Sequence, residues 1–186
     1  MKITDDTKLD FDDVLIIPQR TTIESRKEVE IDRHYEFYHS PKIWSGVPII
    51  CSNMSAVATK HMARSLSDYR MITCLHKYYS IEDMDNLIYE TSPMFVWPSI
   101  GNSFTDLQKL KASKYKDKLN ICIDVPNGYI QSFVEFCKTV RKEFPRAISM
   151  AGNVATSEMT EELIINGGVD IVKAQIGPGR ACNYGS

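Results

Sequence analysis

The sequence predicts an α/β protein built on a parallel sheet, and three observations predict it. Six short apolar runs recur along the chain with starts roughly 23 to 27 residues apart. Each run is nearly continuous in apolar character, as strands buried on both faces of a parallel sheet must be. The gaps between runs carry helical periodicity, and strand–helix–strand crossovers of that length join parallel neighbours.

The first 46 residues precede the repeat. They are polar, with two possible extended pieces around Val14–Ile17 and Val29–Ile31, and they read as an arm or cap on one single domain. The strand runs are Val47–Cys51, Met71–Leu75, Phe95–Ile100, Asn120–Val125, Ala147–Ala151 and Asp170–Ile176. In the first gap Met62, Ala63 and Leu66 share a helical face. Ser80 is placed to cap the second helix, whose core face is Ile81, Met84, Leu87 and Ile88. Thr105 is expected to cap a third, with Leu107 and Leu110. The fourth spans Ile130–Phe144, with Phe133, Phe136, Cys137, Val140 and Phe144 on one stripe. A fifth runs from about Ser157 to Asn166 and stops at Gly167-Gly168.

Two architectures fit such a repeat, an open doubly wound sheet and a closed barrel. A nucleotide-binding open sheet normally shows a glycine fingerprint after its first strand. Here that strand runs into CSNMSAVAT, which has no glycine, while six of the nine glycines lie beyond residue 150. This favours the barrel.

Composition narrows the functional classes. There are 22 Lys and Arg against 24 Asp and Glu, for a net charge of -2, and no basic stripe to follow a nucleic-acid backbone. The polar, acidic start MKITDDTKLDFDD is not a signal peptide. No apolar run approaches the roughly 20 residues a membrane-spanning helix needs. A cytoplasmic location is therefore expected. The five cysteines, Cys51, Cys74, Cys122, Cys137 and Cys182, form no CxxC pair, so disulfides and a cysteine metal site are not expected. Four lie in apolar runs and read as small buried hydrophobes; Cys182 lies in a glycine-rich loop.

In α/β barrels the chemistry sits at the C-terminal ends of the strands. Those ends read Ser52-Asn53-Met54, His76-Lys77-Tyr78-Tyr79, Asp124-Val125-Pro126-Asn127-Gly128-Tyr129, Gly152-Asn153 and Gly177-Pro178-Gly179-Arg180-Ala181-Cys182. Cys182 is the sharpest candidate nucleophile, because a glycine-rich loop turns amides toward a thiolate; a plain surface thiol is the competing reading. Lys77 and Asp124 are expected to face each other across the mouth, either to move protons or as a structural ion pair. Asn53 and Asn153 suit either a polar ligand or strand-end capping. His76 reads as a satisfied polar residue, Ser25-Arg26 as a phosphate contact or a solvated pair, and Trp44 and Trp97 as packing residues.

Several segments together resemble the GMP reductases. They are LDFDDVLIIPQRTTIESR, PIICSNMSAVAT, HKYYS, ICIDVPNGYIQSFVEFCKTVRKEFP, MAGNVATSEMTEELI and IVKAQIGPGRAC, in the family's order and spacing. The sister IMP dehydrogenases share the GPG…C and GNV motifs. They usually lack the NGY…FVEF…VRKxFP stretch and carry a proline where Asn53 stands. The resemblance implies a (β/α)8-type TIM barrel, here truncated after its sixth strand. It implies that GMP and NADPH give IMP, ammonia and NADP⁺ through a thioimidate on the loop cysteine. By the same resemblance Cys182 is the nucleophile, and Lys77 and Asp124 lie near the nicotinamide and the leaving amine. Ser25, Arg26, Asp124, Val125, Pro126, Ile176 and Gly177 match NADPH-contacting positions. Gly177, Gly179 and Cys182 match positions whose carbonyls bind a monovalent cation, usually potassium. A homo-oligomer, in the family a tetramer, or association with a missing C-terminal piece is implied as well.

The chain departs from the family pattern at named positions. Asn183, Tyr184 and Gly185 stand where two threonines and an arginine follow the cysteine. Ser55 replaces an aspartate, Pro126 an alanine, and Arg180 a small residue. An IMP dehydrogenase-type enzyme and a non-catalytic partner subunit derived from GMP reductase are the alternative readings.

Overall fold

The computed structural model describes Leu9 and residues 11–174. The chain divides into two compact units at Glu30/Ile31. In the first, the described residues form two 3-10 turns, Phe11–Asp13 and Arg26–Glu28. The expected extended pieces form no strand. Val29 has extended dihedrals (φ -76°, ψ 114°) but joins no ladder.

The second unit begins with an antiparallel hairpin, β1 (Arg33–Glu36) and β2 (Ile43–Gly46), paired Arg33↔Gly46 through Glu36↔Ile43. The sequence reading missed it. All four residues of β1 are exposed, so no apolar alternation marks that strand.

Six parallel strands follow in sequential order: β3 (Ile50–Cys51), β4 (Ile72–Leu75), β5 (Val96–Ile100), β6 (Ile121–Asp124), β7 (Ser149–Gly152) and β8 (Ile171–Lys173). They form a curled half-barrel. Between them lie α1 (Lys60–Asp68), α2 (Ile81–Glu90), α3 (Phe104–Lys111), α4 (Gln131–Glu143) and α5 (Ser157–Ile165). Thr59, Ser80, Ser103 and Thr156 each cap a helix by accepting from the backbone N–H three residues on. The third helix therefore starts at Ser103, two residues before the expected Thr105. Phe104, 66 % exposed, hid that start because a large apolar residue directly after the cap reads as core. The fourth helix has no side-chain cap; its five buried residues, Phe133, Val134, Phe136, Cys137 and Val140, hold it instead.

Register sorts the side chains into two cores, because successive residues of a strand point to opposite faces. Leu75, Val96, Ile100, Ile121, Ile123 and Ala151 face the helices and pack on residues such as Met84, Leu87, Leu110, Phe133, Val140 and Leu163. Ile72, Cys74, Trp97, Cys122, Ile148 and Met150 face inward and meet Trp44 of the hairpin. Both indole N–H groups, of Trp44 and Trp97, donate to the carbonyl of Met94, at 3.1 and 2.9 Å.

The turn of the hairpin is latched to the N-terminal ends of the strands. Lys42 Nζ donates to the carbonyls of Lys118 and Leu119 and to Asn120 Oδ1, at 2.9, 3.0 and 2.8 Å. The Ser40 hydroxyl donates to the Arg146 carbonyl at 3.1 Å. Asp170 gathers the rest: its carboxylate accepts from the backbone N–H of His39, Ser40 and Ser149 and pairs with Arg141. That carboxylate is 0 % exposed.

This hub yields a stability contrast. Asp170→Ala strands the Arg141 charge and three backbone donors, and it is expected to cost about 3–5 kcal/mol. Lys111→Ala, in an ion pair with Glu143 whose partners are 40 % and 38 % exposed, is expected to cost about 1 kcal/mol or less. Urea unfolding of both variants checks this; equal losses would show that Asp170 does not hold the hairpin.

Candidate active site

The strand ends opposite the hairpin carry the polar residues. At the end of β6 the Asp124 carboxylate is met from two sides. Asn53, just past β3, donates from Nδ2 to Oδ2 at 3.0 Å. Lys173, the last residue of β8, forms an ion pair with Oδ1, and its Nζ lies 3.5 Å from Asn53 Oδ1. The lysine and aspartate side chains are 25 % and 20 % exposed, so the pair is largely shielded but open to the mouth. Burial works against the Lys173 ammonium. Cys122, Asp124 and Cys74 around it more than offset that, and its pKa lies above the ordinary lysine value.

The loops after β6 and β7 are zipped together around this pair. Val125 N–H donates to the Gly152 carbonyl, and Asn153 N–H and Nδ2 both donate to the Val125 carbonyl. Gly128 N–H donates to the Asn153 carbonyl at 2.9 Å. A Cβ at Gly128 would lie 2.6 Å from Val154 Cγ1, so the close approach of the two loops requires glycine there. The Tyr129 hydroxyl accepts from Ala155 N–H at 2.9 Å, and Asn127 Oδ1 accepts from Tyr129 N–H at 3.0 Å. Asn153 thus serves the scaffold.

Lys77 does not pair with Asp124 here. Its side chain is exposed, with Nζ 5.3 Å from the Tyr78 ring centroid, while its carbonyl accepts from Lys109 Nζ at 3.1 Å. His76 stacks on Tyr79 at 4.3 Å. Burial, and then Lys109, lower the His76 pKa, and its buried Nδ1 has no hydrogen-bond partner among the described residues. It is therefore less satisfied than expected. Val125 is buried and Pro126 exposed. In the first unit, Ser25 caps the turn that Arg26 begins, accepting from Lys27 N–H at 3.3 Å. Ile176, Gly177, Gly179, Arg180 and Cys182, with Asn183, Tyr184 and Gly185, lie outside the described residues.

Lys173 is the residue that sequence reasoning missed. A signal was present: IVKAQI is an apolar run with one charge, and Lys173 follows the inward-facing Ile171 by two, as Asp124 follows the inward-facing Cys122. That shared parity puts both charges on the inner face. Among the described residues no group of three or more His, Cys, Asp or Glu side chains is placed to hold a metal ion. Nor is any helix there long and apolar enough to cross a membrane. The site offers a fixed carboxylate, a shielded ammonium beside it and an exposed ammonium at the rim. Such a set can hold a polar ligand and exchange protons with it.

The thiols divide as well. Cys74, Cys122 and Cys137 are buried, whereas Cys51, expected to be buried, is only partly so on the short β3. Cys74 is pushed well above the ordinary thiol value by Cys122 beside it and by burial, and burial pushes Cys137 up to about 12. Brief alkylation at neutral pH with peptide mapping is expected to modify Cys51 ahead of these three. Labelling of Cys137 before Cys51 would contradict this burial pattern.

The family model described as "IMP dehydrogenase / GMP reductase domain" matches residues 8–184. The GMP reductase of Shewanella pealeana is 46% identical over 187 residues, covering 98% of this chain and 54% of the relative. That of Photobacterium profundum is 44% identical, with the same coverage. Among solved structures, the inosine 5'-monophosphate dehydrogenase of Legionella pneumophila superposes with a TM-score of 0.76 at 28% identity, over 92% of this chain and 52% of that one. The chain spans about half the length of the curated relatives it matches. With most of its length matched by the family model and its six strands curled as in the neighbour's barrel, this chain belongs to the IMP dehydrogenase / GMP reductase family.

Proposed function

We propose that the chain carries a large part of a GMP reductase active site and serves the NADPH-dependent conversion of GMP to IMP and ammonia. The observation that carries this reading is the 3.0 Å hydrogen bond from Asn53 to Asp124. The sister dehydrogenases usually place a proline at that position, which has no side-chain amide to donate. The names of the similar curated proteins support the same choice.

The mouth suits a dinucleotide. The Asp124 carboxylate can accept from ribose hydroxyls or a carboxamide, and the exposed Lys77 ammonium can meet phosphate or an oxygen-rich edge. Lys77, Asp124, Val125 and Pro126 would hold NADPH, with Ile176 and Gly177 as further contacts. When bound, NADPH supplies the hydride that C2 of the purine receives. Gly177, Gly179 and Cys182 would hold potassium through backbone carbonyls.

The chain's own residues supply the rest. The Cys182 thiolate forms a bond to C2 of guanine, and the exocyclic amine leaves as ammonia with a proton delivered from the Lys77 and Asp124 side of the site. After C2 is reduced, the C2–S bond breaks, the electrons return to sulfur, and IMP departs. Splitting the displacement into two steps lowers each barrier. Assembly as a homotetramer and a cytoplasmic location belong to the same reading.

The test is NADPH oxidation at saturating GMP. The chain alone is expected to turn over well below about 1 per second, the low end of ordinary enzymes. Tyr184 and Gly185 stand where threonine and arginine serve the family, and the relatives are about twice as long. Co-expression with the remaining portion of the Shewanella relative is expected to give GMP-dependent oxidation that Cys182→Ser abolishes. IMP-dependent reduction of NAD⁺ in its place would identify a dehydrogenase. Complex formation with neither activity would identify a binding subunit.

A further inference from the structure

The strand register puts Asp124, Gly152 and Lys173 in a single row. β6 and β7 pair Asp124 with Gly152, and β7 and β8 pair Gly152 with Lys173. Residues paired in a row present their side chains to the same face of the sheet. The carboxylate and the lysine thus belong to strands separated by a third, with backbones roughly 9–10 Å apart. They meet only if the lysine stem passes over the strand between them.

Gly152 is what lets it pass. A Cβ at this position would lie 2.6 Å from the Lys173 Cβ and 2.5 Å from the Lys173 carbonyl oxygen. With no side chain there, the Lys173 stem lies against bare backbone and the ammonium reaches Asp124 Oδ1. Asn53 engages Oδ2 and places its own Oδ1 3.5 Å from the same ammonium. Both carboxylate oxygens are held, so the plane of the carboxylate is set by β3 and β8 together. Lys77 takes no part and stays exposed at the rim.

We infer that Lys173 is a positioning residue: reaching over Gly152, it fixes with Asn53 the orientation in which Asp124 faces the mouth, and so leaves Lys77 to meet the ligand. The catalytic meaning of this tether rests on the reductase reading, which makes Asp124 the carboxylate that touches cofactor and substrate. The tether itself involves no ligand, and its test needs none.

The experiment is NMR on the 186-residue chain. Lys173→Met is expected to speed solvent exchange of the Asn53 side-chain amide about ten-fold, the equivalent of one charge-assisted hydrogen bond. Lys173→Arg is expected to restore most of the protection. Gly152→Ala, which keeps the lysine but blocks its path, is expected to behave like Lys173→Met. A residue that served stability alone would lower the melting temperature without this pattern of loss and rescue. The second readout is the Lys173 ammonium titration: Cys122 and Asp124 beside it raise its pKa, which is expected to fall in Asp124→Asn. An Asn53 amide unmoved in Lys173→Met, or a Lys173 titration identical in Asp124→Asn, overturns the proposal. If Lys173→Met loses amide dispersion and does not fold, the titration decides alone. A tether confirmed in a chain that fails the reductase assay would fault the reductase reading; a working reductase with no tether would fault this one.

Discussion

The parallel register running unbroken from β3 to β8 is the constraint on which the rest of the structure depends. Neighbouring strands are paired in phase, so the alternation of side chains sorts each strand into the same two faces. Leu75, Val96, Ile121 and Ala151 go to the helices, and Ile72, Trp97, Cys122 and Met150 go to the interior. A slip of one residue in β6 or β8 would exchange that strand's two sets and drive Asp124 or Lys173 into the helix layer. Apolar packing and the placement of charge are thus settled by one geometric choice.

The two ends of the sheet use polar groups differently. At the N-terminal end the contacts are sealed: the Asp170 carboxylate is fully buried, and Lys42 spends its donors on two carbonyls and one amide. At the C-terminal end the pair of Lys173 and Asp124 stays partly open, and Lys77 stays free of Asp124. Burying a charge is costly unless every partner is supplied, so full satisfaction at one end reads as architecture. Partial satisfaction at the other end keeps hydrogen-bonding capacity for a ligand.

Much of this was legible in the sequence, for physical reasons that also explain the exceptions. Strands buried on both faces announce themselves as apolar runs, and the six runs match the six strands, with N-terminal ends trimmed by one to three residues and β7 running one residue further, to Gly152. The cap at Ser80 and the stop at Gly167-Gly168 were legible because a hydroxyl accepting from a helix N–H, and a glycine at φ 69°, each have a single local purpose. The hairpin was not: β1 is wholly exposed, and its partner is recognisable only once Trp44 is seen inside the sheet. At the site, Asp124 stood out as a charge at a strand end. Its partner did not, because pairing Asp124 with Lys173 rather than Lys77 depends on Gly152 lying between them. That fact belongs to register and not to spacing along the chain.

The central claim is that register and a bare glycine bring Asp124 and Lys173 into one interacting pair. A double-mutant cycle in reversible unfolding measures this most directly, using Asp124→Asn, Lys173→Met and the double variant. The account predicts a coupling free energy of about 1–3 kcal/mol, with the double variant recovering part of what each single change loses. Additive losses, with coupling indistinguishable from zero, would mean that the two residues merely lie near each other, and the account of the site would fail with them.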